Sequence, residues 1–280
     1  MVPGKPEKLM QRLATRIVDK PWGRCGIDPR FGADPARQIG EIWFEQADRA
    51  EGQRPLDVMA KYIFTTERLS IQVHPDEETA HARGLPHGKD ECWLVLDVEP
   101  GAELGIGTRT TMSAQELLDS AVDGTIERYI DWRPARRGQF IYNPAGTVHA
   151  LGPGLTVLEV QQSADVTYRL FDYDRPRDLH LAESRDVVVP RPHAHPADRQ
   201  IDEAASAVLV DGRFFGVAWS HGVAPPLPSS ATSIQLLPID APVEVEGEQL
   251  LPGQCAILDG DPTMLRSSGA FVLAWSNASA

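Results

Sequence analysis

Turn-forming residues interrupt this chain too often for long helices: 23 glycines and 23 prolines are spread over 280 residues. Proline removes a backbone donor and fixes φ, and glycine loosens the backbone, so the apolar segments between them stay short. Short apolar runs bounded by turns bury themselves best as strands. Residues 69–73, 92–96, 139–142 and 156–162 read this way, with Glu99-Pro100-Gly101 and Asn143-Pro144-Ala145-Gly146 as turns between them. Helical spacing is sparse, and is expected at 6–18 and 56–64. Ser113 followed by Glu116 forms a capping-box pattern that opens a helix for Gly124 to close, with a second short helix at 126–132. A proline-rich linker is expected at 191–204. Strands at 207–210, 214–220, 233–238, 243–245, 255–258 and 271–275 then make a small β-domain over 205–280. The predicted fold is mainly β, with a larger domain over 1–190 that carries a helical insert at about 110–132.

Charge narrows the function. With 27 basic and 40 acidic residues the net charge is −13, and no Lys/Arg-rich run stands out. Nucleic acid and anionic membranes are therefore excluded as partners, and any anionic ligand must be held by a local cluster of cations. Cys25, Cys92 and Cys255 are odd in number and form no Cys-x-x-Cys pair, which argues against a disulfide framework or a cysteine zinc site. The first twenty residues lack an apolar core and no stretch has the length of a membrane span, so a cytoplasmic chain is expected.

Four polar residues stand out against apolar surroundings. Gln72 and His74 share one face of the strand Leu-Ser-Ile-Gln-Val-His, and Pro75 ends it. Glu91 opens Glu-Cys-Trp-Leu-Val-Leu, where a buried carboxylate needs a partner. His149 follows the turn Asn-Pro-Ala-Gly. Taken singly, a hydrogen-bonded core pair and a capped or hydrogen-bonded core histidine are the better readings for Gln72/His74 and His149, and an exposed strand end is an equal reading for Glu91. Together, two imidazoles, a carboxylate and an amide oxygen suit a divalent cation, and the neutral amide leans towards zinc over redox iron. His81, His87, His180, His193, His195 and His221 are not assigned to this metal.

These segments resemble the type I phosphomannose isomerases of the cupin superfamily. The resemblance rests on Trp22-Gly23, Gly40–Trp43, Leu69–Pro75, Gly88–Trp93, Pro144–His149 and Glu159–Arg169, which follow the family's order over roughly 20–175. It implies cupin-like β-barrels, the second free of metal, and one zinc ion per chain held by Gln72, His74, Glu91 and His149. It also implies Lys61, Ser70, Lys89, Glu159 and Arg169 around a sugar phosphate, and conversion of mannose 6-phosphate to fructose 6-phosphate. The C-terminal domain and the helical insert look abbreviated beside longer members, and a monomer is favoured.

The residues themselves fit that chemistry. Lys89 lies two before Glu91 and shares its face if the strand extends back, where it could bind phosphate or act as a base. Arg169, in Thr-Tyr-Arg-Leu-Phe-Asp, offers a fork for phosphate or enediolate oxygens, or a salt bridge to Asp172 or Asp174. Ser70 alternates onto the face of Gln72 and His74. Glu159 could shuttle protons or orient Lys89 and Arg169, and the sequence leaves the identity of the base open. Two rival readings share the scaffold: an iron-dependent cupin, against which Gln72 argues, and a sugar-binding module without turnover.

Overall fold

A computed structural model describes residues 10–47, 55–259 and 261–277. Its strands form three sheets. A five-stranded sheet runs Tyr168–Phe171, Ile71–Val73, His149–Leu151, Glu103–Thr108, Ile130–Pro134. A seven-stranded sheet runs Arg199–Gln200, Gln139–Asn143, Glu91–Val98, Leu155–Gln162, Val58–Phe64, Ile39–Glu45, Ala14–Arg24. An eight-stranded sheet takes in the C-terminal strands together with Met10–Arg12, which pairs with Ala256–Leu258. The mainly β expectation holds. Among the described residues no ladder closes into a ring, so the walls of the expected barrels are separate facing sheets.

Alternation along the strands sorts side chains into layers. In the Glu91–Val98 strand, Trp93 and Val95 join Trp22, Ile63, Ile106, Leu151 and Val157 in the core between the five- and seven-stranded sheets. Cys92 and Leu94 turn the other way, joining Tyr62, Phe140, Leu158 and Val160 against Phe215, Val217, Trp219, Leu237 and Val272 of the eight-stranded sheet. On the outer side of the five-stranded sheet, Ile71, Val73, Val148, Ala150 and Leu170 are covered by Leu117, Leu118 and Ala121. Those three belong to the helix Ala114–Val122, which has the expected capping box: Ser113 Oγ accepts from the Glu116 amide, and Glu116 accepts from the Ser113 amide. Gly124, at φ 77°, follows it as predicted.

Three helix expectations fail. Residues 6–9 lie outside the described residues, and 10–18 fall in the strands Met10–Arg12 and Ala14–Arg24. Residues 56–64 form the strand Val58–Phe64. Both faces of that strand are buried, so its apolar residues lose the period-two alternation and mimic helical spacing. Residues 126–132 give one 3-10 turn, Thr125–Arg128, and then the strand Ile130–Pro134, pulled into extension by pairing with Glu103–Thr108. In the linker, Arg199–Gln200 pairs with the Gln139–Asn143 strand and extends the seven-stranded sheet.

Gly216 faces Trp275 across a strand pair, and a β-carbon on it would lie 2.1 Å from the buried indole. Gly216→Ala is expected to destabilise the fold by about 2–3 kcal/mol. In a thermal melt this is a Tm lowered by about 5 °C or more, and an unchanged Tm would show that the indole moves aside freely.

Candidate active site

The inward faces of the five- and seven-stranded sheets enclose a cavity. Alternation along Val58–Phe64, Glu91–Val98 and Leu155–Gln162 points Lys61, Glu91, Trp93, Glu159 and Gln161 into it. Cross-strand register places Lys61 opposite Glu159, Glu159 opposite Trp93, and Gln161 opposite Glu91. From the facing sheet come Gln72, His149 and Arg169. His149 is in register with Gln72, and Arg169 with Gln72 on the other side.

At the end of this cavity the four predicted ligands meet. Glu91 is fully buried, with Oε2 3.3 Å from His74 Nε2 and Oε1 3.2 Å from His149 Nε2. The Gln72 amide nitrogen lies 3.2 Å from His149 Nε2 and 3.5 Å from His74 Nε2. Ligand atoms about 2.0–2.2 Å from a tetrahedral ion stand about 3.3–3.6 Å apart, and the two carboxylate–imidazole separations come close to that size. His74 Nδ1 is 2.8 Å from the Val166 carbonyl and His149 Nδ1 is 2.8 Å from the Thr147 carbonyl. Each Nδ1 therefore carries the hydrogen, and both Nε2 lone pairs point at the centre. Burial, with Lys89 adding to it, pushes His74 down to about 3, and burial also lowers His149, so both imidazoles stay neutral as ligands must. A half-turn of the Gln72 amide would present its oxygen to the same centre and its nitrogen to Ser70 Oγ, which now donates to Gln72 Oε1 at 3.0 Å. The donor set fits a divalent cation.

Around it lie the other predicted residues. The strand begins at Glu91, yet Lys89 still turns inward, its ammonium 2.9 Å from Glu91 Oε2 and 3.1 Å from His74 Nε2. Burial opposes ionisation of Glu91, but the Lys89 ammonium beside it holds its carboxyl well below the usual range. Lys61 Nζ sits 2.6 Å from Glu159 Oε2. Burial works against the charge on Lys61, while Glu159 and Glu41 hold it on. Burial and then the nearby Glu91 raise the Glu159 carboxyl. Arg169 makes no salt bridge to Asp172, which is taken by Arg175 and Arg177. Its Nε is buried without a hydrogen-bond partner, leaving a donor free at the cavity wall. Cys92 is core, on the face away from Glu91.

Several contributors were missed in the sequence. Asn143 donates to Glu91 Oε1 at 2.8 Å, a contact created by their cross-strand register. Glu41, Trp43 and Lys20 line the far wall, where the Trp43 indole donates to Glu41 at 2.7 Å and Lys20 lies 3.6 Å from it. Alternation in Gly-Glu-Ile-Trp-Phe-Glu, with Ile42 and Phe44 turned to the opposite core, was the available signal.

No family model matches the chain. Against curated proteins it is 37% identical over 242 residues to the mannose-6-phosphate isomerase of Streptococcus mutans, covering 73% of this chain and 76% of that protein. The chain belongs to the mannose-6-phosphate isomerase family. Bacillus subtilis ManA, also a mannose-6-phosphate isomerase, is 34% identical over 225 residues, covering 75% of this chain and 69% of that protein. The crystal structure of a Bacillus subtilis mannose 6-phosphate isomerase superposes with a TM-score of 0.77 at 26% identity, spanning 95% of this chain and 99% of that one. That superposition, over 95% of the chain, takes in both the facing sheets and the C-terminal layer. No helix among the described residues is long and apolar enough to cross a membrane.

Proposed function

We propose that the protein is a zinc-dependent aldose–ketose isomerase, interconverting mannose 6-phosphate and fructose 6-phosphate through an enediolate. The observation that carries this reading is a cavity where Glu91, His74 and His149 converge beside Lys89. Lys20, Lys61, Lys89, Arg169 and Arg177 line the same cavity against the carboxylates Glu41, Glu91, Glu159 and Asp165, a slightly positive balance in a chain whose net charge is −13. That local balance, with the Arg169 Nε unpartnered, suits an anionic sugar. The same reading divides the chain into a metal-bearing region over 1–190, a connector over 191–204 and a metal-free β-region over 205–280.

Gln72, His74, Glu91 and His149 would hold one ion per chain, three neutral ligands and one anion leaving the centre formally +1. When bound, zinc supplies Lewis-acid stabilisation of the negative charge that develops on the sugar oxygens. The protein must also move a proton between C1 and C2. Two groups are candidates for it: Lys89, which lies against the proposed metal ligands, and Glu159, whose carboxyl is raised by burial and which lies against Lys61. Arg169 brings its unpartnered Nε to phosphate or enediolate oxygens, and Ser70 and Lys61 contribute a hydroxyl and an ammonium for binding. Trp22, Trp43 and Trp93 wall the cavity and limit water.

The test is a coupled assay of mannose 6-phosphate conversion on purified protein, before chelation, after it, and with zinc restored. Turnover is expected to vanish and return. Absence of turnover in folded, zinc-loaded protein would reject the isomerase reading, and recovery only with Fe(II) would reject zinc. Lys89→Ala at full rate would leave Glu159 as the base.

A further inference from the structure

Outside the cavity a second set of side chains meets. Glu77 and His81 are one turn apart on the short helix Glu77–Ala82, and the loop after it brings His87 back beside them. Glu77 Oε1 lies 3.3 Å from His81 Nε2 and 3.2 Å from His87 Nδ1, and the three atoms are within 4.8 Å of one another. Both edges have the length expected between ligands about 2.0–2.2 Å from a tetrahedral ion. The carboxylate is also oriented in advance. Its Oε2 accepts from the Gly88 amide and from Gln162 Nε2, each at 2.8 Å, which turns Oε1 towards the two imidazoles. The Pro86 carbonyl, 2.9 Å from His81 Nε2, accepts that nitrogen's hydrogen, so an ion bound here would select the other tautomer, with the hydrogen on Nδ1.

We propose that Glu77, His81 and His87 form a second divalent-metal site, separate from the buried set. Two imidazoles and one carboxylate select an ion such as zinc, cobalt or nickel over magnesium or calcium. The histidine side chains are 57% and 35% exposed, so the ion exchanges directly with solvent and is held more weakly than one in the buried centre. The site also touches the turn that presents Lys89. Glu77 holds the Gly88 amide, and Gln162, which donates to Glu77, accepts from the Asp90 amide at 2.9 Å. An ion on Glu77 therefore braces the 88–90 turn from outside the cavity.

The experiment is equilibrium dialysis of the metal-loaded protein against zinc at about pH 7.5. Wild type is compared with the double variant His81→Ala/His87→Ala, with metal counted by atomic emission. Wild type is expected to hold one ion per chain more than the double variant, while turnover at limiting zinc is unchanged. His87→Gln, which keeps a hydrogen-bonding side chain, is expected to lose the extra ion as well, and thermal melts check that all three proteins are folded. Equal metal counts in wild type and the double variant would overturn the proposal. The difference in count is independent of the reaction catalysed and of what fills the buried centre, so a failure here leaves the isomerase reading untouched.

Discussion

Glu91→Gln is expected to empty the buried centre and reduce turnover by about 10³-fold or more. Groups that merely orient a metal ligand are worth about 10–100-fold in affinity or activity, so the only anionic ligand must be worth more. The substitution preserves shape, removes the formal charge that balances a divalent ion, and points an amide at Asn143 Nδ2 or Lys89 Nζ, both of which now donate to the carboxylate. Metal content should fall by about one ion per chain. Full metal content with full activity in this variant would remove Glu91 from the ligand set.

Lys61→Met should have the largest effect on stability. Lys61 is the buried partner of Glu159, with their side chains 9% and 4% exposed, and it also offsets the buried Glu41. Removing one member of a buried pair leaves an uncompensated charge, at a cost of about 3–5 kcal/mol. For a chain of this size, that is a Tm lowered by about 10 °C. The loss should depend on pH. Glu159 is already raised by burial and Glu91, and without Lys61 it rises further. The folded state then holds a proton that the unfolded chain releases, so stability falls as pH rises through the folded-state value. Lys61→Met should therefore lose more at pH 8 than at pH 5. The double variant Lys61→Met/Glu159→Gln should recover most of the Tm, and a double variant as unstable as the single one would show that the pair is not the cause.

The grouping of Gln72, His74, Glu91 and His149 was legible in the sequence because each interrupts an apolar segment, and the strand-ending Pro75 and the turn before His149 place those interruptions near strand ends. Lys61 could not be read this way. It lies in Val58–Phe64, where burial on both faces erases the alternation, and it entered only through the family resemblance. Asn143 was invisible for another reason: its contact with Glu91 exists only through strand register, which long-range packing decides. The sequence left Arg169 between a fork for oxyanions and a salt bridge to Asp172 or Asp174, and its freedom from Asp172 depends on Arg175 and Arg177 having already claimed that carboxylate. The false helices at 10–18 and 56–64 share one origin, because propensity and spacing are local while strand pairing is not.

The strands that carry Lys61, Glu91 and Glu159 on one face carry Tyr62, Cys92, Leu158 and Val160 on the other, and these pack against the C-terminal sheet. A fragment cut near residue 190 would keep every proposed ligand and still present a bare apolar wall, an invitation to aggregate. The smallest working unit is thus larger than the reacting groups suggest. For a protein engineer the same layer is a remote handle. Changing the volume of Val217, Leu237 or Val272 presses on the backs of the strands, so the pitch of the working side chains can be retuned from a layer that never meets the sugar.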